Sequence, residues 1–437
     1  SASLSHRAGL CAILQRQNRS WGNRNTDQLI QKLERPDTYC VVTGQQAGLL
    51  TGPLYTIWKA LTALHLSSKW DQQGLRCVPV FWIASEDHNL REVSRFALLN
   101  EELELSEFSL RDHFIQKRQP SGAIPVDHPE IRDILTRCFQ EIRNPAVKEY
   151  YSSGTLAEAF AKTLVDLFKE LPILVVDPAD PELKRLGKPF FTRFFERSER
   201  LVDLLAQQNA VLTELNYPVQ VKPEDNVMPI FMIRNGEREH ILKDCDPTNM
   251  APEDLSPAAL LRPLFQDYLL PTLAYIGGPG EVAYFAQLHP WYEAMEITQP
   301  WLFPRASLTL IPPQINQFLT TRNLEPEELF AREDVLFDIL AENEDLNAVK
   351  EGVAPKKTSV YNAPRGQKLS ATLAKPGRKE SPILDQIRKA KNVVFPGGQP
   401  QERLLNIFSF ETRLPRLLDT VLKNIGDLSS HLWIRLS

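Results

Sequence analysis

The chain of 437 residues is 43% hydrophobic and 24% charged, proportions that give a globular protein with a large core over two or three domains. A formal net charge of −5 is too mild for a polyanion or membrane-surface partner, so neither nucleic acid nor a membrane is expected. No apolar run approaches the roughly twenty residues of a membrane span, and residues 1–15 lack the pattern of a cleavable leader. The cysteines Cys11, Cys40, Cys77, Cys138 and Cys245 are scattered. They read as reduced thiols of a cytoplasmic protein and not as a metal-binding pair, so no metal centre is expected.

In chain order, residues 39–42 form a short β-prone run ending in the loop Thr43-Gly44-Gln45-Gln46-Ala47-Gly48. Gly52-Pro53 then opens a helical stretch to about residue 70, with Leu54, Ile57, Trp58, Leu61 and Leu64 on one side. Tyr55, Lys59 and Thr62 share another face. The nearly continuous apolar run 77–84 suits a strand buried on both faces, and it ends abruptly in Ser85-Glu86-Asp87-His88-Asn89. This is a βαβ unit. Residues 100–169 read as a mostly helical, polar insertion, and 173–176 as a strand followed by a long amphipathic helix. Residues 218–242 read as a β-hairpin turning at Asn235-Gly236. A strand at 272–276 gives way to Gly277-Gly278-Pro279-Gly280 and a helix; Leu302-Phe303 leads to Pro304-Arg305-Ala306-Ser307 and an apolar run at 308–311.

Alternating strands and helices predict a Rossmann-like, doubly wound, mostly parallel α/β core over residues 1–316. A C-terminal helical region is expected over 317–437, interrupted by a basic linker at about 354–379. Three loops fall where an open α/β sheet binds ligands. The glycine-rich loop from Thr43 to Gly52 reads as a backbone anion cradle or as a tight strand-to-helix turn. It lacks the Gly-Lys-Ser/Thr ending of a P-loop. Glu86, Asp87 and His88 supply two carboxylates and an imidazole at a strand end, and His88 is the candidate general base. Gly278-Pro279-Gly280-Glu281-Val282-Ala283 resembles a dinucleotide fingerprint, without the acidic residue that should close the next strand. Lys59 reads either as an anion ligand reaching back to the first loop or as a solvated helix residue. Arg262 and Arg305, each beside a proline, read as carboxylate clamps or as structural ion pairs. His65, His113, His128, His240 and His289 read as structural.

Four long segments in order resemble the bacillithiol biosynthesis cysteine-adding enzymes, a cysteine-ligase family. They are Val41-Val42-Thr43-Gly44-Gln45-Gln46-Ala47-Gly48-Leu49-Leu50-Thr51-Gly52-Pro53-Leu54-Tyr55-Thr56 and Val78-Pro79-Val80-Phe81-Trp82-Ile83-Ala84-Ser85-Glu86-Asp87-His88. The third runs from Leu261-Arg262-Pro263-Leu264 through Gly277-Gly278-Pro279-Gly280-Glu281-Val282-Ala283-Tyr284, and the fourth joins Phe395-Pro396-Gly397-Gly398 to Gln401-Glu402-Arg403. The resemblance implies amide formation between the carboxyl of cysteine and the amine of glucosaminyl-malate, with ATP (or ADP) and Mg2+ as accompanying ligands. It also implies anion or carboxylate binding by Thr43, Gly44, Gln45, Gln46 and Gly48, with Tyr55, Lys59 and Arg305 nearby. Amine deprotonation would fall to His88 with Asp87 and Glu86, and Gly277, Gly278, Gly280 and Glu281 would form the opposite wall. Family members dimerise through a coiled-coil arm. Sustained heptads are absent between residues 324 and 387, so here the arm is expected to be shortened or absent.

Overall fold

A computed structural model describes residues 4–90, 94–111, 118–222, 226–337, 340, 382–426, 428 and 430–436. Two helices come first, α1 (Leu4–Ser20) and α2 (Thr26–Leu33), followed by β1 (Tyr39–Gln45), α3 (Tyr55–Gln72) and β2 (Cys77–Ile83). A hairpin of β3 (Arg95–Leu99) and β4 (Leu105–Ser109) precedes the helices α4 (Pro129–Glu141) and α5 (Leu156–Leu167). Then come β5 (Leu174–Val176), α6 (Pro181–Leu186) and the 27-residue α7 (Lys188–Glu214). The strands β6 (Val227–Arg234), β7 (Glu237–Leu242) and β8 (Leu255–Pro257) form an antiparallel sheet. Next are α8 (Leu261–Leu269), β9 (Thr272–Gly277), α9 (Pro279–Ala294), β10 (Trp301–Pro304), β11 (Ser307–Ile311) and α10 (Pro313–Arg322). The chain closes with α11 (Pro382–Val394), α12 (Gln401–Leu404), α13 (Leu414–Asn424) and β12 (His431–Arg435).

The central sheet has the order β10-β9-β1-β2-β5 with every pairing parallel, so the doubly wound Rossmann-like expectation is met. The apolar run of β2 has a simple cause. Val78, Val80 and Trp82 enter the core beneath α1, α2 and α7, whereas Phe81 and Ile83 enter the core on the α3 side. Both faces are covered, so alternation with polar residues would bury unpaired groups. The five apolar positions named for α3 all belong to that second core. Asn235 and Gly236 have φ of 52° and 80°, as a tight hairpin turn of this hand requires.

Three details add to these expectations. The 100–169 insertion contains the strand β4, whose short run pairs with β3. The C-terminal region contributes a strand, β12, parallel to β11. The boundary at 316/317 falls inside α10, whose Ile315, Phe318 and Leu319 share one apolar core with α3, the insertion and the C-terminal helices. The expected linker at 354–379 and most of the stretch searched for heptads lie outside the described residues.

The loop after β1 is strained and braced. Leu50, Thr51 and Gly52 have φ of 53°, 72° and 69°, a left-handed run that disfavours a β-branched threonine. Asn406, fully buried, donates to the carbonyls of Leu50 (2.8 Å) and Gly52 (2.7 Å), and Tyr151 Oη accepts from Leu50 N (2.8 Å). Asn406→Ala leaves two buried carbonyls without a donor. We expect the denaturant midpoint to report a loss of about 2–4 kcal/mol; a loss under about 1 kcal/mol would show that the loop holds itself.

Candidate active site

From β1 the chain moves outward to β2 and β5, then returns to place β9 on the other side of β1. In an open parallel sheet the loops beyond such a reversal diverge and leave a crevice. A cleft of about 1050 Å³ lies there. Of the residues expected at the site, Gly44, Gln45, Gln46, Tyr55, Lys59, Glu86, Asp87, His88, Gly278, Gly280, Glu281 and Arg305 line it, as does Arg262. Thr43, Gly48 and Gly277 are not among its lining residues. The Thr43 hydroxyl is buried in the sheet, donating to Ile276 O at 2.9 Å, and Gly277 O accepts from Arg305 N at 2.9 Å.

In both glycine loops some of the backbone N–H groups are already bonded within the chain. In the first, Gly48 N donates to Gln46 O, Gly52 N to Leu49 O and Leu54 N to Leu405 O. At the start of α9, Pro279 has no N–H and Gly278 N donates to Glu281 Oε2 at 2.8 Å. The chain's own carboxylate therefore takes up the Gly278 N–H. These loops bring to the cleft the backbone of Gly44, Gly278 and Gly280 and the side chains of Gln45, Gln46 and Glu281.

Lys59 is buried, not solvated. Its Nζ donates to Gly44 O and Gln45 Oε1, both at 2.9 Å, and pairs with Glu281, which also accepts from Tyr275 Oη at 2.8 Å. The pair ties α3 and the end of β1 to the first turn of α9 across the crevice. Burial pushes the ammonium's pKa down and Glu281 opposes the shift. Arg305 is likewise committed: it pairs with the buried Glu402 at 2.7 Å. Glu86 accepts from the buried Lys184 Nζ at 2.6 Å and supports the cleft wall through that pair. Arg262 donates to Tyr284 Oη at 2.7 Å and, among the described residues, forms no salt bridge.

Asp87 and His88 stand differently. The half-exposed Asp87 carboxylate accepts from Gln46 Nε2 at 2.7 Å and Asn89 N at 2.9 Å. His88 Nδ1 lies 3.0 Å from Arg238 Nη1, and its ring meets Phe231 edge-on at 5.4 Å. Burial, and then Arg238, hold the His88 pKa below the usual histidine value. Arg238, His240 and Lys184 were not anticipated. The signal was available in part: Arg238 and His240 alternate along β7, so they share one face of a hairpin that is legible in the sequence. That this face turns inward is a tertiary fact.

Eight cationic side chains line the cleft against three carboxylates, although the chain as a whole is net negative. An excess of this kind raises the local concentration of anionic ligands.

Behind the cleft, Asp177 accepts from Ser85 Oγ, and burial pushes its carboxyl up to about 6. The folded state thus holds this proton more tightly than the unfolded chain. The resulting stabilisation is complete below the unfolded value of about 3.9 and is lost as pH rises through about 6. Asp177→Asn should flatten stability against pH across that window; equal slopes for both proteins in denaturant titrations at pH 4, 5 and 6 would contradict it.

The family model described as bacillithiol biosynthesis BshC, N-terminal Rossmann-like domain, matches residues 1–306. The chain belongs to the BshC family. Proteins named "Putative cysteine ligase BshC" resemble it over most of their length. The relative from Chlorobaculum tepidum is 30% identical, with 98% of this chain and 89% of the relative covered. Those from Chloroherpeton thalassium and Salinibacter ruber are each 31% identical, covering 96% and 95% of this chain and 86% of each relative. The residues matched by the BshC model include every expected site residue, from Thr43 to Arg305; Gln399, Arg403 and Leu404 reach the cleft from the C-terminal region.

Proposed function

We propose that this chain is a carbon–nitrogen ligase that joins the carboxyl of cysteine to the amine of glucosaminyl-malate, the last step of bacillithiol biosynthesis. BshC-family membership together with a cation-rich cleft at the reversal point of the sheet carries this reading. The chemistry sets three requirements. A free carboxylate is a poor electrophile and must be activated, for which ATP is the proposed co-substrate, with Mg2+ accompanying the nucleotide. The amine must be free of its extra proton when it attacks, and the oxyanion that forms needs donors already in place. Cysteine brings a carboxylate, and glucosaminyl-malate and the nucleotide are net anionic, which suits the excess of cations lining the cleft. Asp87, half-exposed at its edge, is the proposed proton acceptor. Gln45, Gln46 and Tyr55 supply neutral donors and acceptors beside it.

The direct test incubates the purified chain with cysteine, glucosaminyl-malate and Mg-ATP and follows the products by mass spectrometry. Protein-dependent bacillithiol is the expected result. AMP beside it identifies an acyl-adenylate and ADP an acyl-phosphate. Absence of product from folded protein would overturn the assignment.

A further inference from the structure

The contact between Arg238 and His88 settles which ring nitrogen carries the proton. A guanidinium has only N–H groups, so it donates and never accepts. At 3.0 Å from Arg238 Nη1, His88 Nδ1 must present its lone pair, and the neutral ring then carries its hydrogen on Nε2. The guanidinium has little freedom to move away. Its Nη2 donates to Pro257 O at 2.9 Å, its centre lies 4.0 Å from the Phe231 ring centroid, and the residue is buried. Phe231 also meets the imidazole edge-on, so β6 and β7 hold ring and guanidinium together.

A general base needs an unoccupied lone pair. The neutral imidazole has one, and here it faces a cation. Protonating Nδ1 would set N–H against N–H and place a second positive charge beside a buried first. The surrounding groups act in the same direction: Arg238 and His240 from β7 and Arg118 disfavour the imidazolium, and only Asp87 on the same loop opposes them. We propose that Arg238 is a positioning residue that fixes His88 as a neutral Nε2–H donor. His88 then hydrogen-bonds the carbonyl oxygen of the activated acyl group as it becomes an oxyanion, instead of taking a proton from the amine. No proton leaves Nε2 in this role. Amine attack forms the C–N bond as the carbonyl π pair moves onto oxygen, and the hydrogen bond strengthens there. Asp87 takes the amine proton, and collapse of the oxyanion breaks the C–O bond to the activating group, which leaves as AMP or phosphate. This role rests on the amide-forming reading, whereas the tautomer does not.

The experiment is nitrogen-detected NMR of the full chain labelled in histidine, with the His88 signals assigned by their loss in His88→Gln. Wild type should show His88 as the Nε2–H tautomer with an unprotonated Nδ1 from about pH 6 to 8. Arg238→Met should mix the tautomers and raise the titration midpoint, and Arg238→Lys, which still offers only donors, should restore the tautomer in part. An Nδ1–H tautomer or a doubly protonated ring at neutral pH in wild type overturns the proposal. The wild-type spectrum decides this even if Arg238→Met does not fold. Kinetics supply the second arm. His88→Ala should lower turnover by about a hundredfold to a thousandfold, the usual effect of removing one oxyanion donor. His88→Gln, which keeps an N–H, should recover at least a tenfold part of that, whereas equal loss in both variants would restore the base role. Failure to form bacillithiol with the expected tautomer present would overturn the proposed reaction and the oxyanion role, leaving the Arg238–His88 arrangement standing.

Discussion

Lys59→Met is expected to destabilise the fold by about 3–5 kcal/mol, because it strips the main counter-charge from a carboxylate that the fold holds beside the sheet. Glu281 would keep Tyr275 Oη and Gly278 N as donors, but no cation would pair with it directly, and Gly44 O and Gln45 Oε1 would each lose a donor as well. Glu281→Gln does the reverse, leaving a buried ammonium with neutral acceptors. The double variant should cost much less than the sum of the two, since the charges vanish together. Turnover should stay low in all three, because the pair joins the loops that carry Gln45 and Gln46 on one side and Gly278 and Gly280 on the other. Denaturant titration of the four proteins measures the coupling. A coupling below about 1 kcal/mol would show that the two loops are held by other contacts.

Asp87→Asn should lower turnover by about a hundredfold to ten-thousandfold. Because Asp87 is also a counter-charge of the buried Arg238, at 3.9 Å, denaturant titration of the variant scores any loss of stability separately from the loss of turnover. The His88 lone pair is turned to Arg238, and Glu86 and Glu281 are each in close contact with a buried lysine. The half-exposed Asp87, whose own cationic neighbour Arg238 lies farther off at 3.9 Å, is the cleft carboxylate most open to the amine proton. Gln46 Nε2 and Asn89 N orient it. Asparagine keeps the size and one acceptor oxygen, so Gln46 still has a partner, but the proton acceptor is gone. The loss should therefore fall on kcat and shrink as pH rises, since more of the amine is then already deprotonated. Loss that is independent of pH, or confined to KM, would assign Asp87 to binding.

Much of this architecture is legible in the linear chain because local rules and global fold agree there. The period of α3, the two-faced apolar run of β2 and the Asn235-Gly236 turn each have one physical reading, and the structure places each element as read. The hairpin of β3 and β4 and the C-terminal β12 were not legible. Each is a short run whose partner is chosen by packing: Phe96 stacks on Phe108, and β12 adds to β11 across more than a hundred residues.

For the site, the sequence by itself determined which loops end at the carboxyl edge of the sheet and which polar residues they carry. Tertiary structure decided what those residues are free to do. Lys59 and Arg305 each read as a ligand or as a residue with no part in binding, Glu86 as part of the deprotonating group and Glu281 as cleft wall. In the fold each is paired, Lys59 with Glu281, Glu86 with Lys184, and Arg305 with Glu402. His88 looked like a base until the inward face of β7 set Arg238 against it. The reason is electrostatic and non-local. A charged side chain taken out of water must find a partner, and the partner comes from whatever element the fold brings near, at separations of 98, 150 and 97 residues for Glu86, His88 and Arg305.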